Sequence, residues 1–120
     1  MHRKLDNYLR THRNRAGLSQ DEVAYLLGCR SGAKVSRYER FARQPTLQAA
    51  LAYEAIFGVA VRELFAGLFQ RVEGPIVKRA QLLAQKLKTA KPGRLTTRKL
   101  QVLRAVASVP AEVWLSVGTK

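Results

Sequence analysis

The chain has 120 residues, of which 47% are hydrophobic, and its 22 Lys and Arg against 8 Asp and Glu give a net charge of +14. This length suits one domain with its own core plus an extension, and no apolar run approaches the roughly 20 residues that a membrane-spanning helix needs. The N-terminus lacks the apolar stretch of a secretory signal, and the single cysteine, Cys29, excludes an intramolecular disulfide. We therefore expect a cytoplasmic protein. The positive charge attracts polyanions without choosing among nucleic acid, anionic lipid and the ribosome.

A first helix is predicted over residues 5–16 and a second from about Gln20 to Gly28, because apolar residues recur there at helical spacing. Ser19 is a good N-cap for the second helix, since its hydroxyl can accept from the amide of Glu22, whose carboxylate completes a capping box. Gly28 suits the left-handed turn with which such a helix ends.

A third helix is predicted at residues 31–41, directly after this tight turn. Its inward residues are Val35 and Tyr38. Its outward residues are mostly basic, namely Arg30, Lys34, Arg37 and Arg40. Two short helices joined by a tight turn, with a cationic outer face on the second, form a unit that can enter a major groove. The pattern therefore predicts DNA binding.

A fourth helix is predicted from Leu47 to about Phe57, and a fifth from near Val61. No segment alternates apolar and polar residues with period two, so we predict no sheet. The predicted fold class is all-α, with five helices around one core in a domain of residues 5–69.

Residues 9–69 carry an ordered series of motifs. In chain order these are Arg13, GLSQ at 17–20, Glu22, Ala24, LLG at 26–28, VSRYER at 35–40, Arg43, Pro45, Thr46, FGV at 57–59 and ELF at 63–65. Together they resemble the phage-repressor type of helix-turn-helix domain, the Cro/CI or XRE family, and the later part also resembles a group of short bacterial regulators. The resemblance implies a five-helix lambda-repressor-like fold. The chain has one residue more than these repressors between Gly28 and Val35, which lengthens the turn or begins the third helix irregularly.

The resemblance also implies roles for particular residues. Arg13 and Glu39 would form a partly buried ion pair between the first and third helices, and Gln20 would donate to a phosphate. The front of the recognition helix would hold Ser31, Gly32, Ala33, Lys34, Ser36 and Arg37.

Arg37 is the foremost candidate for reading a base, because an arginine can donate two parallel hydrogen bonds to guanine. The alternative is that Arg37 is solvated or contacts a phosphate. The other candidate base contacts are Lys34, Ser36, Ala33 and Gly32. The candidate backbone contacts are Gln20, Ser31, Arg30, Arg40 and Arg43.

Residues 70–120 are predicted to form a basic helical extension. Its apolar residues recur every three or four positions and make a narrow seam typical of a dimer interface. The interface candidates are Ile76, Ala80, Leu83 and Leu87. The alternative is that this helix packs back on its own domain.

Breakers divide the extension. The pair at 74–75 predicts a kink or a new helix beginning at Pro75, and Thr96 or Thr97 is expected to cap a last helix. Residues 78–104 hold nine Lys and Arg and no acid, which either adds phosphate contacts or forms a solvated face. An apolar segment at 113–115, with Trp114, is a candidate to cover a second protomer or to bind a partner.

No enzyme is predicted, since no serine, histidine and carboxylate combination suggests a nucleophile and no glycine-rich loop follows a strand. His2 and His12 lack a second ligand at metal-binding spacing, so we predict neither a metal nor another cofactor.

Three functions remain in competition. The preferred one is a homodimeric transcription regulator, a repressor that occupies an operator in double-stranded DNA. The second is an antitoxin-like or phage-regulatory adaptor that acts mainly through a small protein partner. The third, a structural RNA-binding protein, is supported by net charge alone.

Overall fold

The computed structural model describes residues 4–108, and every regular element in this range is an α-helix. The seven helices are α1 (Leu9–Ala16), α2 (Gln20–Leu27), α3 (Ala33–Glu39), α4 (Leu47–Phe57), α5 (Val61–Leu64), α6 (Ala66–Lys88) and α7 (Arg94–Ala107). They fall into two compact units, Lys4–Phe69 and a second whose described part begins at Gln70. The all-α fold class is thus confirmed for the described residues. None of these seven helices is both long enough and apolar enough to cross a membrane.

The first helix begins at Leu9, four residues later than predicted. The segment before it is held by backbone hydrogen bonds instead: the amide of Tyr8 donates to the carbonyl of Leu64 at 2.7 Å, and the amide of Gly67 donates to the carbonyl of Leu5 at 2.8 Å. A Cβ atom at Gly67 would collide with that Leu5 carbonyl oxygen. Glycine at position 67 therefore allows the two backbone segments to approach this closely.

The capping box predicted at the start of α2 is confirmed. The Ser19 hydroxyl accepts from the Glu22 amide at 3.0 Å, and the Ser19 amide donates to the Glu22 carboxylate at 2.8 Å. Thr46 caps α4 similarly, because its hydroxyl accepts from the amide of Ala49 at 3.1 Å. These bonds satisfy N–H groups that a helix start otherwise leaves unpaired, so both helices begin where their capping residues predict.

Three helices end in the same turn, in which two successive backbone amides donate to carbonyls of the last helical turn. Only two of these turns have glycine in the left-handed position. Gly17 after α1 and Gly28 after α2 adopt φ angles of 74° and 81°. After α3 the equivalent residue is Phe41, with φ of 64°; its amide donates to the carbonyl of Tyr38, and the next amide donates to that of Arg37. A bulky residue in this left-handed conformation is strained, so the end of α3 differs in kind from the ends of α1 and α2.

The first unit has one hydrophobic core, to which all five of its short helices or their ends contribute. Its buried residues are Leu9, Val23, Ala24, Val35, Tyr38, Ala50, Tyr53, Leu64 and Phe65. The rings of Tyr38 and Tyr53 meet edge to face with their centroids 6.3 Å apart. Burial raises the pKa of Tyr53 well above its usual range, so this side chain is neutral at physiological pH.

The predicted fifth helix is divided between α5 and α6. Phe65 leaves helical geometry, with φ of −116° and ψ of 43°, so α5 ends at Leu64 and α6 begins at Ala66. The prediction of a new helix at Pro75 is wrong, because α6 continues through it as one helix of 23 residues. Proline removes one backbone donor from the helix interior, and the rest of this long helix continues on both sides.

The start of α7 also differs from the prediction. The helix begins at Arg94, before the two threonines expected to cap it. The hydroxyl of Thr96 donates to the carbonyl of Lys91 at 3.1 Å, and that of Thr97 donates to the carbonyl of Gly93 at 3.0 Å. Both hydroxyls therefore act as donors to the preceding turn, whereas a cap must accept.

Candidate nucleic-acid interface

The start of α3 is held against α2 by a hydrogen bond that the sequence did not suggest. The carboxylate of Asp21 accepts from the amide of Gly32 at 2.8 Å. Gly32 is buried, and a Cβ atom there would lie 2.7 Å from the same carboxylate oxygen. This burial contradicts the predicted base contact of Gly32, because the residue faces α2 and not the solvent.

The inner side of α3 consists of Val35, Tyr38 and Glu39, all buried. The carbonyl of Tyr38 also accepts from the side-chain amide of Asn7 at 3.0 Å, and the side-chain oxygen of Asn7 accepts from the amide of Leu9 at 3.1 Å. Asn7 therefore links the start of α1 to the end of α3. Sequence reasoning missed this residue, although a short amide side chain just before a helix is a typical capping signal.

The carboxylate of Glu39 is the polar centre that joins the first three helices. Its side chain is fully buried, and the guanidinium of Arg13 donates to both of its oxygens, from Nε at 2.6 Å and from Nη2 at 3.1 Å. The third donor group of Arg13, Nη1, donates to the carbonyl of Leu18 at 3.0 Å. The hydrogen bonds to Glu39 raise the pKa of Arg13 above its already high usual value. The two residues that the resemblance pairs are thus brought together in a two-pronged geometry.

Gln20 belongs to the same network. Its side-chain amide donates to Glu39 Oε1 at 3.1 Å, and the half-exposed Arg10 approaches the same oxygen at 3.7 Å. The amide of Gln20 has two hydrogens, so one is engaged within the protein. The position predicted to meet a phosphate is therefore fixed in place by the ion pair.

The outer side of α3 is open and cationic. Ala33, Arg37 and Arg40 are exposed at its centre, with Lys34 and Ser36 partly exposed on its flanks. Arg40 Nε donates to the Ser36 hydroxyl at 3.2 Å. Residues 30–43 contain five Lys or Arg and one acid, the buried Glu39. The outward surface of α3 itself therefore carries only positive charge.

The remaining residues predicted to contact the DNA backbone lie at the two ends of α3. Arg30 and Ser31 are exposed before it, and Arg43 is exposed after it. The hydroxyl of Ser31 accepts from the amide of Ala33 at 3.4 Å, and the amide of Arg43 donates to the carbonyl of Arg37 at 3.3 Å. The loop after α3 is therefore bonded to the helix that it follows.

These features agree with a comparison of the sequence with known families. The model of the family described as helix-turn-helix domain matches residues 7–66, which is half of the chain. The chain belongs to this family. No curated protein and no solved structure gives a significant match. Membership identifies the first unit as a DNA-binding domain of the kind found in regulators, a domain type that is typically non-enzymatic.

Residues 4–108 contain no group of three His, Cys, Asp or Glu side chains that could hold a metal ion. The half-buried Cys29 packs against the core of the first unit, and the ring of His12 lies 6.0 Å from that of Phe57. Two further candidates, His2 and the apolar segment 113–115, lie outside the described residues.

The four candidate interface residues on α6 differ in exposure. Ile76 and Leu83 are 48% and 46% exposed, whereas Ala80 is 5% exposed. Ala80 therefore has almost no surface to offer a second copy, contrary to the prediction. Leu83 and the partly buried Leu87 line a groove that α6 forms with α7.

Proposed function

We propose that the chain is a sequence-specific regulator of transcription of the phage-repressor (Cro/CI, XRE) type, with a lambda-repressor-like arrangement of its first unit. It binds double-stranded DNA with α3 in the major groove and represses by occupying an operator. The observation that carries the proposal is the division of α3 into two sides. Its inner side is fixed by the Glu39 network, and its outer side presents Arg37 and Arg40, while the one acid of α3, Glu39, is buried.

Within this proposal, some side chains contact bases and others contact phosphates. Arg37 reads a guanine with two hydrogen bonds, while Lys34, Ser36 and Ala33 contact neighbouring bases. The residues that position the protein on phosphates are Gln20, Arg30, Ser31, Arg40 and Arg43. Gln20 suits such a role because Glu39 orients its amide at the start of α2, where backbone N–H groups also favour an anion.

The regulator acts as a homodimer, because one short helix reads few base pairs and a pair of helices reads two half-sites. Ile76 and, one turn earlier, Val72 are both about half exposed and support an interface on this part of α6. A dimer of this kind recognises a nearly palindromic site.

Selection of duplexes from a randomised pool by the full-length protein tests the proposal. The wild type is expected to enrich a nearly palindromic sequence. Arg37→Ala is expected to lose about 1–3 kcal/mol of discrimination at one base pair in each half-site, whereas Arg43→Ala should weaken all duplexes alike and lower the salt dependence.

Arg15→Ala is the matched control, since it removes the same charge from an exposed position on α1. It should leave the enriched sequence unchanged. Equal binding of all duplexes by the wild type would overturn the proposed function, and an enriched sequence that Arg37→Ala does not alter would overturn the assigned readout.

A further inference from the structure

An apolar groove of about 470 Å³ lies open between α6 and α7. Leu83 and Leu87 of α6 form one wall, and Leu95, Val102 and Leu103 of α7 form the other. Leu95 is 65% exposed and Val102 is 57% exposed. None of the 14 residues of α7 is fully buried; Leu100, Leu103 and Val106 are partly covered, so much of its apolar face stays open.

An apolar helix face that is left largely open, as on α7, indicates a docking surface. A helix obtains most of its stability in a protein from burying its apolar stripe, and two helices with an open groove between them bury little. Contiguous exposed apolar side chains mark sites that other molecules cover. The groove is concave and its side chains are aliphatic, which suits a partner that inserts apolar side chains.

The charge around the groove indicates what that partner is. Arg98 and Lys99 line the same groove, and residues 78–104 hold nine Lys and Arg and no acid. A second copy of the chain would bring a second set of positive charges to this face, and such like-charge contacts are unfavourable. Nucleic acid supplies negative charge but no aliphatic side chains to fill the groove.

We propose that the groove between α6 and α7 binds an acidic amphipathic helix of a second protein. Apolar side chains one turn apart would enter between Leu87 and Val102, in the manner of helix-in-groove recognition. Acidic side chains on the flanks of the bound helix would face Arg98 and Lys99. This inference goes beyond the proposed function, because the groove contains no residue of α3 and its binding is measured without DNA.

A synthetic peptide tests this proposal with the full-length protein. The probe is a fluorescently labelled helix of about 18 residues, or five turns, with leucines on one face and glutamates elsewhere. A peptide of the same composition in scrambled order has the same charge and no apolar face. At a salt concentration of about 0.15 M, which screens exposed charges, we expect the amphipathic peptide to bind about ten-fold tighter than the scrambled one.

Two variants of α7 separate the groove from its surroundings. Val102→Asp places a charge in the groove and should weaken the amphipathic peptide about ten-fold or more. Gln101→Asp is the matched control, because it makes a charge change of the same sign at the adjacent exposed position outside the groove lining. It should leave the affinity within about two-fold.

A second pair of variants tests the charge complementarity. The double change Arg98→Gln and Lys99→Gln should weaken the peptide and reduce the salt dependence of its binding. Arg94→Gln with Arg104→Gln removes the same charge from exposed positions outside the groove lining. This double variant should weaken peptide binding, and its salt dependence, much less. Equal losses in both double variants would show that only net charge is recognised.

Five results would overturn the proposal. Equal affinity for the two peptides, or amphipathic-peptide binding that Val102→Asp leaves unchanged, would remove the groove from recognition. A homodimer that dissociates with Val102→Asp and not with Gln101→Asp would assign the groove to a second copy. Binding to vesicles of anionic phospholipid that Val102→Asp abolishes, without peptide binding, would assign it to a membrane surface. If the peptide binds the Trp114→Ala variant and not the wild type, the groove would be assigned to the chain's own C-terminal residues.

Discussion

The two units of the chain are both helical, and they differ in what they do with their apolar residues. In residues 4–69, Leu64 is fully buried in a core to which every helix contributes. In residues 70–108, Leu95 is 65% exposed, and the helix that carries it has no buried residue. An apolar stripe in the sequence thus indicates that one face of a helix is suited to burial. It does not indicate which other part of the protein, or which partner, buries that face.

The largest expected effect concerns the buried ion pair of the first unit, in which Arg13 donates to the fully buried Glu39. Glu39→Gln leaves the guanidinium of Arg13, whose side chain is 14% exposed, without this charged partner. We expect a loss of about 3–5 kcal/mol in the free energy of unfolding, measured by urea denaturation followed by circular dichroism.

The control for this prediction is Arg10→Gln. Arg10 approaches the same carboxylate at 3.7 Å, but its side chain is 60% exposed, so the expected loss is below about 1 kcal/mol. Similar losses for the two variants would show that burial does not distinguish the Arg13 contact.

Two glycines of α6, one in each unit, give the next largest contrast. Gly67→Ala places a methyl group against the Leu5 carbonyl, and overpacking of this kind costs about 1–3 kcal/mol. A Cβ at Gly74 meets no atom within 4 Å outside its chain neighbours and its own helix backbone. The helical preference for alanine there is opposed by the ring of Pro75, which crowds the preceding Cβ, so we expect Gly74→Ala to change stability by less than about 1 kcal/mol. Thermal unfolding of the two variants beside the wild type measures both effects, and equal losses would contradict the assigned close approach at Gly67.

The smallest effect concerns Phe41, whose left-handed backbone we describe as strained. Phe41→Gly and Phe41→Ala both remove the ring, so their difference isolates the backbone. We expect the glycine variant to be more stable by about 1 kcal/mol. A more stable alanine variant would show that the turn after α3 relaxes and carries no strain.

Much of the first unit follows from local signals in the sequence. Ser19, Glu22 and Thr46 act through bonds to residues three positions away, which a single sequence displays directly. The pairing of Arg13 with Glu39 joins residues 26 positions apart, and it was expected from the resemblance to a family and not from spacing. Local chemistry therefore predicts the starts of α2 and α4, while the links between helices need further information.

Two of the features that sequence reasoning missed, at Gly67 and Gly32, depend on contacts with other segments of the chain. Gly67 is required by a carbonyl 62 residues earlier, and Gly32 is buried by a carboxylate on the preceding helix. The new helix predicted at Pro75 is wrong because proline, although favoured at a helix start, is also tolerated inside a long helix that loses one backbone donor. The candidate surface on α3 could be placed from its charges, whereas the exclusion of Gly32 required the packed structure.

The two-sided construction of α3 bears on how such a domain can acquire new targets. The side chains that hold the helix, Val35, Tyr38 and Glu39, are buried and lie between the outward ones along the chain. The outward side chains of Ser36 and Arg40 are hydrogen-bonded to each other. Substitutions in the outward set can therefore accumulate with little effect on folding. A lineage of these chains could change the sites that it controls while keeping the same scaffold.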